Sequence, residues 1–383
     1  MYVFRRHIAR KDNIIQMIRT LLVAGTRPNF IKIAPLYRAF DQHPDFNPVL
    51  VHTGQHYDAV MSDVFFRQLQ MPEPDIFLSS GSGSHAEQTA RMMKELEPVL
   101  LDIKPDVVVV VGDVNSTLAA TITAKKLHIP VAHVEAGLRS MDRRMPEEIN
   151  RLVTDAISDF LFVTETAALD HLHREGHSDD HIFFCGNVMI DSLRRFEGEA
   201  RAVNQKQEYG LAAGEYVLVT AHRPEMVDQP ELLKIFMSSL FEIAEFSPIV
   251  FPMHPRTRLR IRDAGLEEQM LSTANMYVVE PLGYFEFLSL ITDAGLVLTD
   301  SGGVQEETTV LGVPCATIRD NTERPCTVES GTNELIPLDP EKIVDAARRA
   351  MSGSWKKGTL PELWDGKAAE RVANALAGAM KAL

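Results

Sequence analysis

Five consecutive valines, Val107–Val111, follow Asp106 and precede Gly112. A β-branched side chain loses rotamer freedom in a helix and packs well on a pleated surface, so Asp106–Val111 predicts a strand. Successive strand side chains point to opposite faces, and an unbroken apolar run is therefore buried on both. Strands of that kind belong to a parallel sheet covered by helices on each side. The surrounding sequence repeats the pattern. Leu21–Ala24, Val49–His52, Val131–Val134, Phe160–Val163 and Ile182–Cys185 are short apolar runs separated by helix-length segments. A helix is expected from about Phe30, and His85–Leu101 carries Met92, Leu96 and Leu100 at helical spacing. After the polar stretch Gly198–Gly214 the alternation restarts with Tyr216–Thr220, Pro248–Pro252, Met276–Val279 and Leu296–Thr299. The chain thus predicts an α/β protein with two doubly wound domains joined near Gly186–Asp191. The Ala-rich end, Asp365–Leu383, reads as a helix.

Length and charge narrow the function. At 383 residues the chain suits about two domains of roughly 100–200 residues each. The expected boundaries are 1–19 (an extension), 20–187, 188–364 and 365–383, with the fold beginning near Leu21 and Met17 as a candidate start. A formal charge of −14 speaks against nucleic acid as a partner. A phosphorylated ligand would then be held locally, by a few cations and backbone N–H groups. Cys185, Cys315 and Cys326 form no C-x-x-C pair, which points to the reducing cytoplasm. Residues 1–19 lack the apolar stretch of a signal peptide, and no later run is apolar enough to span a membrane.

Open α/β sheets bind ligands where loops leave the carboxyl ends of strands. Several such loops carry polar chemistry. Gly25-Thr26-Arg27-Pro28-Asn29 opens a helix that also carries Lys32; it reads as an anion-binding turn or an ordinary strand–helix connection. Asp113 follows the valines, either as a working carboxylate or, like Asn115, as a helix N-cap. His133-Val134-Glu135-Ala136-Gly137-Leu138-Arg139 ends another strand. Glu147 and Arg151, four apart, share a helix face. They form a surface ion pair, or Glu147 joins Glu135 and Asp113 in a crowd of acids suited to proton transfer. His222 and Arg223, and more weakly His254, follow strands of the second half, with structural and proton-carrying roles both open for His222. Asp300-Ser301-Gly302-Gly303 leads into a helix and forms an anion cradle, with Glu307 one turn on, as a ribose acceptor, and Arg324 near in sequence. His171, His173, His177 and His181 cluster, but their spacing matches no zinc pattern. His52 and His56 offer no metal partner.

Together GTRP…K, HTGQH, GD, HVEAGLR, PEE-x-NR, GN-x-x-ID, T-x-HR, HP, SGG-x-QEE and TERP resemble the non-hydrolysing UDP-N-acetylglucosamine 2-epimerases, from about Leu21 onward. The resemblance implies a GT-B fold: two Rossmann-like domains facing a central cleft that holds UDP, with a C-terminal helix crossing back to the first. It implies no metal, no nicotinamide or other cofactor, a UDP-sugar as substrate, and a homodimer. The first domain would supply acid–base groups, and the second would bind UDP. The reaction would remove the C2 proton, eliminate UDP to leave a 2-acetamidoglucal, and re-add UDP after reprotonation from the other face. By carry-over Asp113, Glu135 and Glu147 are the acid–base carboxylates, with Arg151 supporting them. His222 and Arg27 stabilise the departing diphosphate. Lys32, His254, Ser301, Gly302, Gly303, Glu307 and Arg324 join Arg27 in holding the nucleotide.

The chain departs from the commonest bacterial pattern. HRREN reads His222-Arg223-Pro224-Glu225-Met226, ERPE reads Glu323-Arg324-Pro325-Cys326, and HTGQH continues as Tyr57-Asp58. Activation by a second substrate molecule is therefore not expected. The His52–Asp58 stretch also resembles the branch acting on UDP-2,3-diacetamido-2,3-dideoxy-glucuronic acid, which is the alternative substrate. A hydrolysing epimerase or a GT-B glycosyltransferase is the second alternative.

Overall fold

The computed structural model describes residues 17–25, 27–54 and 66–382, with Arg27 and Pro28 described by their backbone alone. The N-terminal extension 1–16, Thr26 of the first loop, and His56, Tyr57 and Asp58 lie outside the described residues. The chain forms two compact units. The first comprises the chain up to Arg194 together with the segment from Glu362 onward, and the second is Arg195–Pro361.

In the first unit β1 (Ile18–Ala24), β2 (Phe46–His52), β3 (Ile76–Phe77), β4 (Val107–Val111), β5 (Val131–Ala136), β6 (Phe160–Val163) and β7 (Ile182–Phe184) form one sheet. Their order is β3-β2-β1-β4-β5-β6-β7, with every pairing parallel. All five valines of β4 are fully buried. Val108 and Val110 join Leu21, Val23, Leu96 and Leu100 in one core cluster. By the two-residue period of a strand, Val107, Val109 and Val111 face the other side. The helix His85–Ile103 supplies Leu96 and Leu100 to that core. It begins in a reciprocal cap between Ser84 and Glu87 and ends at Lys104 in a left-handed conformation.

The second unit repeats the plan. β8 (Val217–Thr220), β9 (Ile249–Pro252), β10 (Met276–Val279), β11 (Leu296–Thr299), β12 (Cys315–Ile318) and β13 (Asn333–Ile336) form a parallel sheet in the order β10-β9-β8-β11-β12-β13. Val217 and Val219 pack with Phe236, Leu240 and Ile343 on one face. Leu218 packs with Leu290 and Ile291 on the other. Each unit is therefore a doubly wound parallel sheet, as the alternation predicts. Each places its order reversal between its first and fourth strands, where loops part and leave a crevice.

The C-terminal helix Ala368–Ala382 belongs to the first unit and packs on the helix Arg27–Gln42. Asp191 accepts hydrogen bonds from the N–H groups of Ala368 and Ala369 at 3.0 and 2.7 Å, and the Trp364 indole donates to the Thr164 carbonyl at 3.0 Å. Some boundaries differ from expectation. β1 begins at Ile18 rather than Leu21, and the first helix at Arg27 rather than Phe30. Asp106 stands outside β4, where its carboxylate accepts the Arg19 N–H at 2.7 Å. No helix among the described residues is long and apolar enough to cross a membrane.

Candidate functional site

Side chains from four elements meet at the order reversal of the first sheet. Asn29 joins the ends of β1 and β4: its amide oxygen accepts the Gly25 N–H at 3.0 Å and its nitrogen donates to the Val111 carbonyl at 2.8 Å. Gly112 follows with φ +69°, and a Cβ there would lie 3.5 Å from Lys32 Nζ and 3.9 Å from Glu135 Oε1. Lys32 and Glu135 thus converge beside Gly112, forming a buried ion pair at 2.5 Å.

Glu135 sits in an irregular stretch of β5, where the register against β6 shifts between Val134 and Ala136. Its φ is +73°. A left-handed backbone at a non-glycine residue costs on the order of 1–3 kcal/mol and persists only where surrounding contacts enforce it.

Asp113 comes next, its side chain 22% exposed and bound to Arg151 Nη2 at 2.5 Å. Neither Asp113 nor Asn115 caps the following helix; Val114 holds the N-cap position with no side-chain bond. Arg151 is buried and reaches Glu148 Oε2 at 2.7 Å. The helical ion pair is therefore i,i+3 with Glu148 rather than i,i+4 with Glu147. Glu148 also accepts from Ser140 N, Ser140 Oγ and Met141 N, which folds the preceding loop onto the helix Pro146–Ile157. Glu147 stands in the first turn of that helix, partly exposed. The expected acids thus arrive with interleaved cations: Lys32 on Glu135, and Arg151 on Asp113.

The second sheet builds a different chemistry at its own order reversal. Asp300, directly after β11, is buried and accepts the backbone N–H groups of His222 and Arg223 at 2.7 and 2.8 Å. Its other oxygen lies 3.0 Å from His222 Nδ1. Desolvation pulls the His222 imidazole down, but the charge and hydrogen bond of Asp300 outweigh it and leave the ring raised above its ordinary value. Burial likewise pushes Asp300 up, and His222 with the two N–H donors holds it below the usual carboxylate range. The pair is an imidazole backed by a fixed carboxylate. The His254 ring lies 6.1 Å from that of His222, centroid to centroid, and caps the helix Pro255–Asp263 by accepting the Arg256 N–H at 3.2 Å.

Ser301 holds the N-cap position of the ten-residue helix Gly302–Leu311, and its side chain makes no capping bond. Gly302 and Gly303 form the helix's first turn, whose N–H groups favour an anion. Gly302 lies close against a side-chain ion pair that any side chain there would displace. A Cβ there would lie 2.6 Å from Arg324 Nη1 and 2.7 Å from Glu323 Oε1. Arg324 is itself buried, bonding Glu306 Oε1 and Glu323 Oε1 at 2.6 Å each, and so orders this turn. Burial and the neighbouring Glu306 charge push the Glu307 carboxyl up to about 8, against a lowering hydrogen bond from Tyr284.

The family profile described as UDP-N-acetylglucosamine 2-epimerase matches residues 38–377. The chain belongs to the UDP-N-acetylglucosamine 2-epimerase family. This epimerase chain is 44% identical over 362 residues to the UDP-N-acetylglucosamine 2-epimerase of Methanocaldococcus jannaschii, covering 93% of this chain and 98% of the relative. It is 42% identical over 365 residues to the UDP-2,3-diacetamido-2,3-dideoxy-D-glucuronate 2-epimerase of Pseudomonas aeruginosa, covering 94% and 99%. The crystal structure of the M. jannaschii enzyme in complex with UDP-GlcNAc and UDP superposes with a TM-score of 0.86 at 44% identity, covering 94% of this chain and 99% of that one.

Within the epimerase fold, other sequence candidates take local roles. His171 Nδ1 bonds the Gly137 carbonyl, His173 bonds Asp179, and His181 Nδ1 bonds the Asp159 carbonyl. His52 is buried, accepts the Gly54 N–H and stacks on Phe77 with ring centroids 4.6 Å apart. The side chain of Arg27 lies outside the described residues. Sequence reasoning assigned no role to Asn29, Glu148, Asp155, Tyr284 or Asp300. Asp300 follows a strand and precedes the Ser-Gly-Gly turn, which is the one signal that marks it.

Proposed function

We propose that this epimerase interconverts UDP-N-acetylglucosamine and UDP-N-acetylmannosamine by removing and returning the proton at C2. The observation that carries the reading is Glu135: a buried carboxylate held in left-handed backbone against Lys32, beside Asp113 and Arg151. The C2–H bond is only weakly acidic, so its cleavage needs a base placed against it and a leaving group met by fixed positive charge. One carboxylate among Asp113, Glu135 and Glu147 takes the proton. The C2–H electrons form the C1=C2 bond, and the C1–O electrons leave with UDP. A second carboxylate delivers a proton to the opposite face as UDP re-adds. The sequence of steps is redox-neutral.

The second unit holds the nucleotide in this proposal. His222, its imidazole raised by Asp300, stands near the Gly302 helix terminus and suits the growing charge of the diphosphate. Ser301, Gly302 and Gly303 take phosphate oxygens, Glu307 takes the ribose hydroxyls, and His254 lines the same loops. Lys32 belongs with Glu135 rather than with the nucleotide. Arg27 enters by sequence alone. The relative crystallised with UDP-GlcNAc and UDP supports the substrate. A homodimer is the proposed assembly, read by sedimentation equilibrium.

The test is proton NMR of UDP-N-acetylglucosamine with the protein in D2O. The wild type is expected to form the manno epimer and replace the C2 hydrogen with deuterium. Glu135→Gln is expected to lose exchange by about 1,000-fold or more while keeping UDP affinity, since the amide cannot accept the proton. Unchanged turnover in that variant removes Glu135 from the mechanism. Free sugar or an untouched C2 would indicate a hydrolase or a transferase. A parallel run with UDP-2,3-diacetamido-2,3-dideoxy-glucuronic acid measures preference between the two sugars.

A further inference from the structure

One buried carboxylate behind Glu135 has no part in the chemistry above. Asp155 lies on the helix Pro146–Ile157, one turn beyond Arg151, and is fully buried. Its Oδ1 lies 2.6 Å from His133 Nδ1. Its Oδ2 accepts the Gly137 N–H at 3.0 Å and lies 2.7 Å from Arg139 Nη2. His133 and Gly137 are the residues two before and two after Glu135. The His133 ring continues the chain of contacts, with Nε2 2.9 Å from the Gly112 carbonyl, directly before Asp113. Arg139 closes it on the more exposed Glu175 at 2.6 Å.

We propose that Asp155 is a positioning residue for the reaction: it sets the Glu135 carboxylate by gripping the chain on both sides of it. The inference rests on the reading that Glu135 handles the C2 proton. A carboxylate placed only to stabilise a core would need donors from anywhere nearby. Here the two oxygens straddle the one residue whose backbone is left-handed at a register shift. The same carboxylate fixes β5 to the helix that carries Glu147 and Arg151, and through His133 to the end of β4. All the proposed acid–base side chains therefore share one reference point. Misplacing a reacting group by about 1 Å costs about 100-fold in rate.

Asp155→Asn tests this with the shape kept. The amide keeps one acceptor oxygen in place of two, so it cannot accept from the His133 side and from Gly137 and Arg139 at once. Using the full chain, kcat for UDP-N-acetylglucosamine and C2 deuterium exchange are expected to fall together by about 10- to 100-fold. KM and the UDP dissociation constant are expected to stay within about twofold of wild type. A kcat within about twofold of wild type, counted per UDP-binding site, would overturn the proposal. So would a loss of UDP affinity as large as the loss of kcat, since that is general loosening of the fold. Where Asp155→Asn does not fold, His133→Asn decides. It keeps the Asp155 bonds to Gly137 and Arg139 but withdraws the ring from Gly112. About a tenfold fall in kcat at constant KM supports positioning, and unchanged kcat rejects it. Wild-type protein that exchanges no C2 hydrogen would instead overturn the epimerase reading, and the inference with it.

Discussion

At the end of β5 the backbone takes a conformation natural to glycine, and the residue there is a glutamate. Glycine would remove the strain and the carboxylate together, so the strain is the cost of placing an acid where the side chain would otherwise not point. Across in the second unit, Glu307 shows another departure from ordinary behaviour, with its carboxyl pushed up to about 8 by burial and by Glu306. A group this close to neutrality can accept from a ribose hydroxyl or donate to it. Glu307→Ala is expected to weaken UDP binding by about tenfold, the upper end of the worth of one hydrogen bond, and to change kcat less. Isothermal calorimetry reads it, and unaltered affinity rejects the ribose role. The residue types of both constellations were legible in the sequence because they follow strands. Their pairing was not. Lys32 reads as a cation for an anionic ligand, yet it meets Glu135 at 2.5 Å. Arg151 reads as the partner of Glu147 by spacing, yet its buried position turns it to Glu148 and Asp113. Helical spacing gives two neighbours per residue, and tertiary burial chooses between them.

Among elements, the C-terminal helix depends on one side chain from another. Asp191 offers its carboxylate to two N–H groups at that helix's first turn. Burial, with Asp365 adding its charge, nonetheless raises the carboxyl to about 6 against those lowering bonds. A folded value above the unfolded value of 3.8 means that stability from this group is full below pH 3.8 and is lost as pH rises through about 6. The loss is roughly 3 kcal/mol by pH 7. Asp191→Asn cannot ionise, so its urea-unfolding stability should fall less than wild type's between pH 4.5 and 7. Parallel stability–pH curves would exclude Asp191 as the source. The strands that the sequence revealed are those rich in branched apolar residues, above all β4. Those it concealed lack that signal. β12 is built on Cys315, Ala316 and Thr317, too small to stand out. β3 has two residues, and β13 lies at the sheet edge and begins with the polar Asn333 and Glu334.

For the whole molecule, the two units carry separate cores and separate polar constellations. The proposed division of labour predicts a separable response to nucleotide. UDP at about 100 times its dissociation constant should stabilise the unit that binds it by about 2.7 kcal/mol. In hydrogen exchange read by mass spectrometry, slowed amides are expected in residues 195–361, at Ala221–Arg223 and Ser301–Glu307 above all. Protection confined to residues 17–194 would reverse the assignment.

The first unit is closed by a helix that comes after the whole of the second in the chain. In synthesis every strand of the second sheet, through Ile336, is in the chain before the Ala368–Ala382 helix is made. The surface of Arg27–Gln42 that this helix covers must wait through that interval. Nascent protein should therefore complete its later half before its earlier one, and a chaperone would find its target on the older part of the polypeptide.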